Sequence, residues 1–437
     1  MGRKPAVKPQ VTVPPSPKNT IEKETRLHNT VLCYDQFQRG RLAPSVVRHA
    51  AEFVVSERLK CYTVFTSCSC LTRRVTALSW HPTNNSLLLV GSKGGEFIVC
   101  GPTGDRREPE QQRHTLDQGI GPGGSLLSIA FDLTSPSRCY TASLDGTVKE
   151  WNIDSGDSKV LLNTGTLERW FCSLNTSQST GLIVAGDTSG VLTVMSGRDK
   201  GILSKHKLHK SKITTTEMCN RTGWLLVTAS IDKAVKIWDI RKLKECSPLD
   251  SLIHERPVNS AFLSPTGSGR LLTTDQHSQL RIYRTGDWAL ETLMIHPHRQ
   301  FQHLTAIKAS WHPLCDMVVV GRYPDPALPS FVEGELRTVD IFSAKTGKLM
   351  AQLSSPSCKG IMSLNTFDPT GEYLASAMGL CVPIWAFRDP LQIKKSKKLP
   401  HDGSSNLGAD NDDGDDDTFR PPPPKKIKKR EKKGEKK

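Results

Sequence analysis

The chain has 437 residues and carries 59 Lys and Arg against 44 Asp and Glu, a formal net charge of +15. That length allows a large buried core and as many as two or three domains, and the charge favours a polyanionic partner. No apolar run is long enough to span a bilayer and no signal-peptide core is present, so no membrane role is expected.

The twelve cysteines are scattered, with Cys68-Ser-Cys70 the only close pair. No Cys-x-x-Cys or spaced Cys/His zinc pattern appears, which fits a reduced intracellular protein with buried thiols and no metal. Residues 1–70 hold 11 basic and 5 acidic residues, and residues 391–437 add a further +5. The 320 residues between are left with only +4, so any anionic partner of the middle must be met by local clustering of side chains.

Residues 1–28, rich in Pro, Lys and Thr, are expected to be disordered. Asn29–Arg39 reads as a short amphipathic helix (Val31, Leu32, Tyr34, Phe37) broken at Gly40. Pro44 suits a first helical turn, and Val46, Val47, Ala50, Phe53, Val54 and Leu59 keep helical periodicity to about Tyr62. Residues 29–66 are therefore expected as a helix–loop–helix too small to fold alone. It packs on the following domain or docks into the groove of a partner, and the residues do not separate the two.

From 67 to 389 the period changes. Short β-like runs, each preceded by a Gly-, Asp- or Ser-rich turn, end at Cys100, Trp151, Met195, Trp238, Tyr283, Phe342 and Trp385, with separations of 51, 44, 43, 45, 59 and 43. A period in the low forties, with one intact Trp238-Asp239 pair, predicts an all-β, seven-bladed WD-repeat propeller of four strands per blade. The long interval of 59 contains the stretch 296–305 and an insertion after Arg322. Residues 390–437, with their Lys, Asp and Pro runs and the basic end 425–430, are expected as a disordered acidic and basic tail; the basic end reads as a nuclear-localisation or nucleic-acid patch.

In a propeller of this kind, the segment leading into each blade's first strand and the turn between its second and third strands share one rim. That rule puts Arg73, Arg74, Lys93, Trp170, Lys210, Lys212, Arg256, Arg299–His303, Arg322, Tyr323 and Lys359 on one edge. Basic side chains with interspersed aromatics suit phosphate clamping and base stacking. Phe301, flanked by Arg299, Gln302 and His303, either folds back onto its own domain or acts as a wedge of the kind that kinks duplex DNA. Asp145, Asp232 and Asp275 lie on the same edge, and the second reading of the rim is a peptide reader that uses Asp232 and Asp275. Asp239 and Arg241 fall on the opposite rim, where Arg241 could meet a protein. No catalytic set is present: Gly91-Ser92-Lys93-Gly94-Gly95 lacks phosphate-loop spacing and leads into a strand. Neither an enzyme nor a cofactor is expected.

The blocks GSKGG (91–95), WFCSLN (170–175), TASIDKAVKIWDIR (228–241), HPHRQFQHLTAIKASWHP (296–313), VVVGRYPDP (318–326) and LASAMG (374–379) together resemble the small WD-repeat subunit of UV-damaged DNA-binding complexes. The resemblance runs from about Leu71 to Trp385 and is weaker over the helical segment. It implies a nuclear sensor of damaged double-stranded DNA acting in nucleotide-excision repair. It also implies a large multi-propeller adaptor subunit and, through it, a cullin–RING ubiquitin ligase; histones or nucleosomes are the partner expected under the peptide-reading alternative. By motif, Phe301, Gln302 and His303 correspond to a minor-groove wedge. Arg73, Lys93, Trp170, Lys212 and Tyr323 correspond to DNA or lesion contacts. Asp239, Arg241 and the helical segment with Val47, Phe53 and Val54 correspond to adaptor contacts.

Overall fold

The computed structural model describes residue 36, residues 38–41 and residues 43–388, apart from 70, 103–113, 122, 167, 299–304 and 330. The predicted first helix at 29–39 and both terminal tails fall almost wholly outside those residues, as does the predicted wedge Phe301–His303 with Arg299.

Seven four-stranded antiparallel sheets follow one another along the chain. All seven landmark residues sit in the third strand of their blades, for example Trp151 in Thr147–Asn152, Trp238 in Ala234–Asp239 and Trp385 in Val382–Phe387. Their regular spacing has a packing cause. Each blade uses that position to bury a bulky side chain, and six of the seven are under 9% exposed. The apolar core is not one mass but seven clusters, each shared by two neighbouring blades. Val227, Val235 and Ile237 of blade four, for instance, pack on Val258 and Leu271 of blade five.

The first strand of each blade lines a central channel, and hydroxyls on or just ahead of those strands tie the blades together. Thr214 Oγ1 donates to Val258 O at 2.8 Å, Thr176 Oγ1 to Phe131 O at 2.6 Å and Thr305 Oγ1 to Val75 O at 2.8 Å. Blade four carries a buried polar relay. The Trp238 indole donates to Thr228 Oγ1 at 2.8 Å, His209 Nε2 lies 2.7 Å from the same oxygen, and His209 Nδ1 lies 3.0 Å from Asp232. This chain of contacts joins the rim turn to the blade core.

Helix α1 spans Pro44–Leu59, with proline in its first turn. Leu59 and Val55 pack into the cluster between blades six and seven beside Met317, Leu353 and Trp385. The helical segment expected through residue 66 ends at Leu59. From Tyr62 the chain is already strand (Tyr62–Cys68), paired antiparallel with Val382–Phe387 as the outer strand of blade seven. The β-branched and aromatic run Tyr62-Thr63-Val64-Phe65-Thr66 suits a strand, and pairing it with the far end of the chain closes the ring.

Candidate nucleic-acid interface

The chain direction within each blade places the start of the first strand and the turn before the third on the same rim. At the centre of that rim the channel opens into a cavity of about 330 Å3, lined by Arg74, Lys93, Lys212 and Lys308 with Cys172, Asn259 and Gln276 among others. Four cations from blades one, four and six thus face one small space, and among the described residues no acidic side chain lines it.

Blade one supplies two of the predicted contacts through a single buried carboxylate. Glu96 accepts from Thr72 N at 2.8 Å, Thr72 Oγ1 at 2.7 Å and Ser92 Oγ at 2.6 Å. Burial pushes this carboxyl up, but the hydrogen bonds from Ser92, Thr72 and Arg73 outweigh it and hold the group below the usual carboxylate range. Lys93 N also donates to Arg74 O at 2.8 Å. The result is a braced corner from which the exposed side chains of Arg73 and Lys93 leave together. Gly94 packs close by: a Cβ on it would meet Arg73 Cγ at 3.1 Å, so that side chain would have to shift by a few tenths of an ångström.

Trp170 leads into blade three, half-buried, its carbonyl accepting from Thr188 N at 3.0 Å. Lys212 leads into blade four, half-buried, with no ion pair among the described residues. Tyr323 follows blade six's second strand and is held by its own N–H to Pro297 O at 2.9 Å, with the Arg337 guanidinium 5.5 Å above its ring.

Arg322 departs from the expectation of a DNA-facing cation. Its guanidinium lies between Asp340, at 3.0 Å, and Glu335, and its side chain is only 14% exposed. The 323–338 insertion folds back and brings Glu335 to it, so Arg322 braces the insertion rather than the rim.

His296 and His298, at the start of the stretch 296–305, are buried. Their Nδ1 atoms lie 3.2 Å apart, His296 Nε2 faces Asp340 at 3.3 Å, and His298 Nε2 lies 3.2 Å from Asp275 O. Burial pushes His296 down to about 4. Asp340 is pushed up by burial, but His296, Thr338 and Gln352 hold it down at about 2. These histidines anchor one end of segment 299–304, and Thr305, bonded to Val75 O, anchors the other.

The acidic residues of this rim are engaged locally. Asp232 accepts from Lys210 N at 3.0 Å and Ala234 N at 3.2 Å besides its contact with His209. Asp275 accepts from His277 N at 2.8 Å and Gln279 N at 2.9 Å, and Asp145 from Thr147 N at 2.9 Å.

On the opposite rim Asp239 binds the Arg241 guanidinium through two hydrogen bonds, at 2.9 and 2.7 Å, and stacks it 5.3 Å over Trp224. The Arg241 side chain remains 66% exposed, so its planar face is pre-oriented toward solvent. On α1, Phe53 is 44% exposed and Val54 half-buried, while the Val47 side chain is outside the described residues.

Lys308 is the rim residue that the sequence reading missed. It sits one strand-length from segment 299–304, where alternation alone does not say which face looks into the channel. Among the described residues no group of three metal-ligating side chains occurs, and no helix is long and apolar enough to cross a membrane.

Fold and rim together define a WD-repeat propeller that presents distant cations on one edge. No protein-family model matches the chain. It is 43% identical over 335 residues to DNA damage-binding protein 2 of Bos taurus, covering 76% of each protein. It is 42% identical over 363 residues to that of Gallus gallus, covering 81% of this chain and 70% of the relative. With the Mus musculus protein the identity is 39% over 366 residues, 83% of each. The chain belongs to the DNA damage-binding protein 2 family. A solved chain from the crystal structure of the mitotic checkpoint complex shares the fold alone, at TM-score 0.58 and 15% identity, over 75% of this chain and 92% of that one.

Proposed function

We propose that the chain is a nuclear protein that binds damaged duplex DNA through the braced rim. The observation that carries this reading is the convergence of Arg74, Lys93 and Lys212 on one mouth that no acidic side chain lines among the described residues. Phosphates of any duplex fit those cations. Selectivity comes from segment 299–304: Phe301 enters the minor groove with Gln302 and His303 beside it, filling the space left by extruded nucleotides, while Trp170 and Tyr323 stack on the lesion. Extrusion costs a few kcal/mol, and less where damage has already weakened pairing and stacking. Changing Phe301, Gln302 and His303 together to Ala should cut the affinity ratio of irradiated over intact duplex at least tenfold while leaving intact-duplex binding nearly unchanged. Unaltered discrimination in an electrophoretic shift would sink the wedge. A peptide or histone reader is the weaker reading, since Asp232 and Asp275 are already used on their own turns.

The opposite rim and α1 supply a second contact surface, which we assign to the large multi-propeller adaptor that links such receptors to a cullin–RING ligase; histones or nucleosomes would be its substrates. Leu59 and Tyr62 belong to the propeller core, so removing the helix also damages the fold. Surface changes are the cleaner probe. Phe53→Arg combined with Arg241→Ala should reduce co-purification with the adaptor at least tenfold and leave duplex affinity intact. Full retention of the adaptor would move this contact elsewhere.

A further inference from the structure

Lys308 differs from the other cations of the mouth. It lies on the channel wall just ahead of blade six's first strand, its N–H donating to Ser363 O of blade seven at 3.1 Å. It borders both the 330 Å3 mouth cavity and a cavity of about 410 Å3 further along the channel. Among the described residues it has no ion-pair partner; the Lys212 charge disfavours its ammonium and Cys172 acts the other way. Burial and the Lys212 charge push the amine down to about 8 from the ordinary lysine value. An ammonium confined with a second ammonium relieves the strain by losing its proton, which favours the free amine. A free primary amine in a sheltered cavity is a nucleophile toward carbonyl carbon, the chemistry of Schiff-base lysines.

Damaged DNA offers one such carbon. Loss of a base leaves a deoxyribose whose ring opens to an aldehyde at C1′. With no base to unstack, that residue is easily extruded. A mouth of about 330 Å3, space for roughly ten waters, admits a sugar and confines it.

We propose that Lys308 forms a covalent imine with the opened aldehyde of an abasic site held on this rim. The inference rests on the reading of the rim as a DNA surface. The Lys308 Nζ lone pair attacks C1′ to give a carbinolamine. The aldehyde oxygen then leaves with the two amine protons as water, and a C1′=N bond remains. Addition of water reverses the step. No strand is cut, and neither oxidant nor reductant takes part. The imine converts a transient encounter with an abasic site into a long-lived one, and Lys212 serves it by keeping the amine unprotonated.

The test uses the full chain and a duplex with one abasic site, at concentrations saturating each protein, with cyanoborohydride to reduce any imine to a stable amine. Binding to a duplex carrying the tetrahydrofuran analogue, which has no aldehyde, is measured beside it. The wild type should yield a DNA-linked band on a denaturing gel that increases between pH 6.5 and 8.5. Lys308→Arg and the neutral Lys308→Met should each lower its yield at least tenfold, and Lys212→Arg should retain it. A yield equal to the wild type's from both Lys308 variants, or loss with Lys212→Arg alone, would place the amine elsewhere and overturn the proposal. No adduct from a wild type that binds the tetrahydrofuran duplex overturns it and leaves the DNA reading standing. No binding to either duplex ends both.

Discussion

Lys212→Glu should weaken binding to damaged and intact duplexes alike, on the order of ten- to a hundredfold at low salt, and flatten the slope of log affinity against log salt by roughly one unit or more. The position explains the size. Lys212 lines a mouth shared with Arg74, Lys93 and Lys308 and has no carboxylate of its own among the described residues. Its charge is therefore available to a phosphate, and a carboxylate there would repel one. Discrimination between damaged and intact DNA should survive, because it is proposed to arise in segment 299–304. The fold should survive as well: the Lys212 carbonyl accepts from Ile231 N at 3.2 Å, and that bond does not depend on the side chain. Filter binding across a salt series measures both quantities. An unmoved slope with unmoved affinity would show that Lys212 touches no phosphate.

Trp238→Ala is the largest stability change expected, about 3–5 kcal/mol. Trp238 is 2% exposed and packs in the cluster between blades three and four with Leu192, Ile213 and Leu226. Its removal opens a cavity in a core that neighbouring sheets cannot easily close. It also deletes the donor to Thr228 Oγ1, an atom that His209 shares. Trp238→Phe separates the two losses, since it keeps most of the volume and removes only the donor, at about 1–2 kcal/mol. Because His209 in turn holds Asp232 and the turn beside Lys210, the Ala variant should also loosen the rim of blade four. Urea unfolding followed by tryptophan fluorescence ranks the two variants. Equal midpoints for both would mean that the indole donor, not the packing, carries the effect.

The repeat was legible because its cause is local: each third strand buries one bulky residue, and turn residues mark the strand before it. The rim rule was legible for the same reason: Lys93 and Lys212, expected on one edge, line a single cavity with Arg74. Where partners come from far along the chain, the reading failed. Arg322 looked like a free cation until the insertion returned Glu335 to it. Nothing local marks His296 and His298 as buried, yet they meet Asp275 and Asp340 inside the fold. The helix was extended past Leu59 because the strand that competes for Tyr62–Cys68 lies more than 300 residues away.

By itself, then, the amino-acid order determined a ring of seven similar sheets, since strand formation, turn chemistry and burial act over a few residues and repeat. It did not determine which charges stand together. That was decided only when the N-terminal strand closed on blade seven and brought blades one, four and six around one opening, because electrostatic proximity depends on the closed ring and not on spacing along the chain.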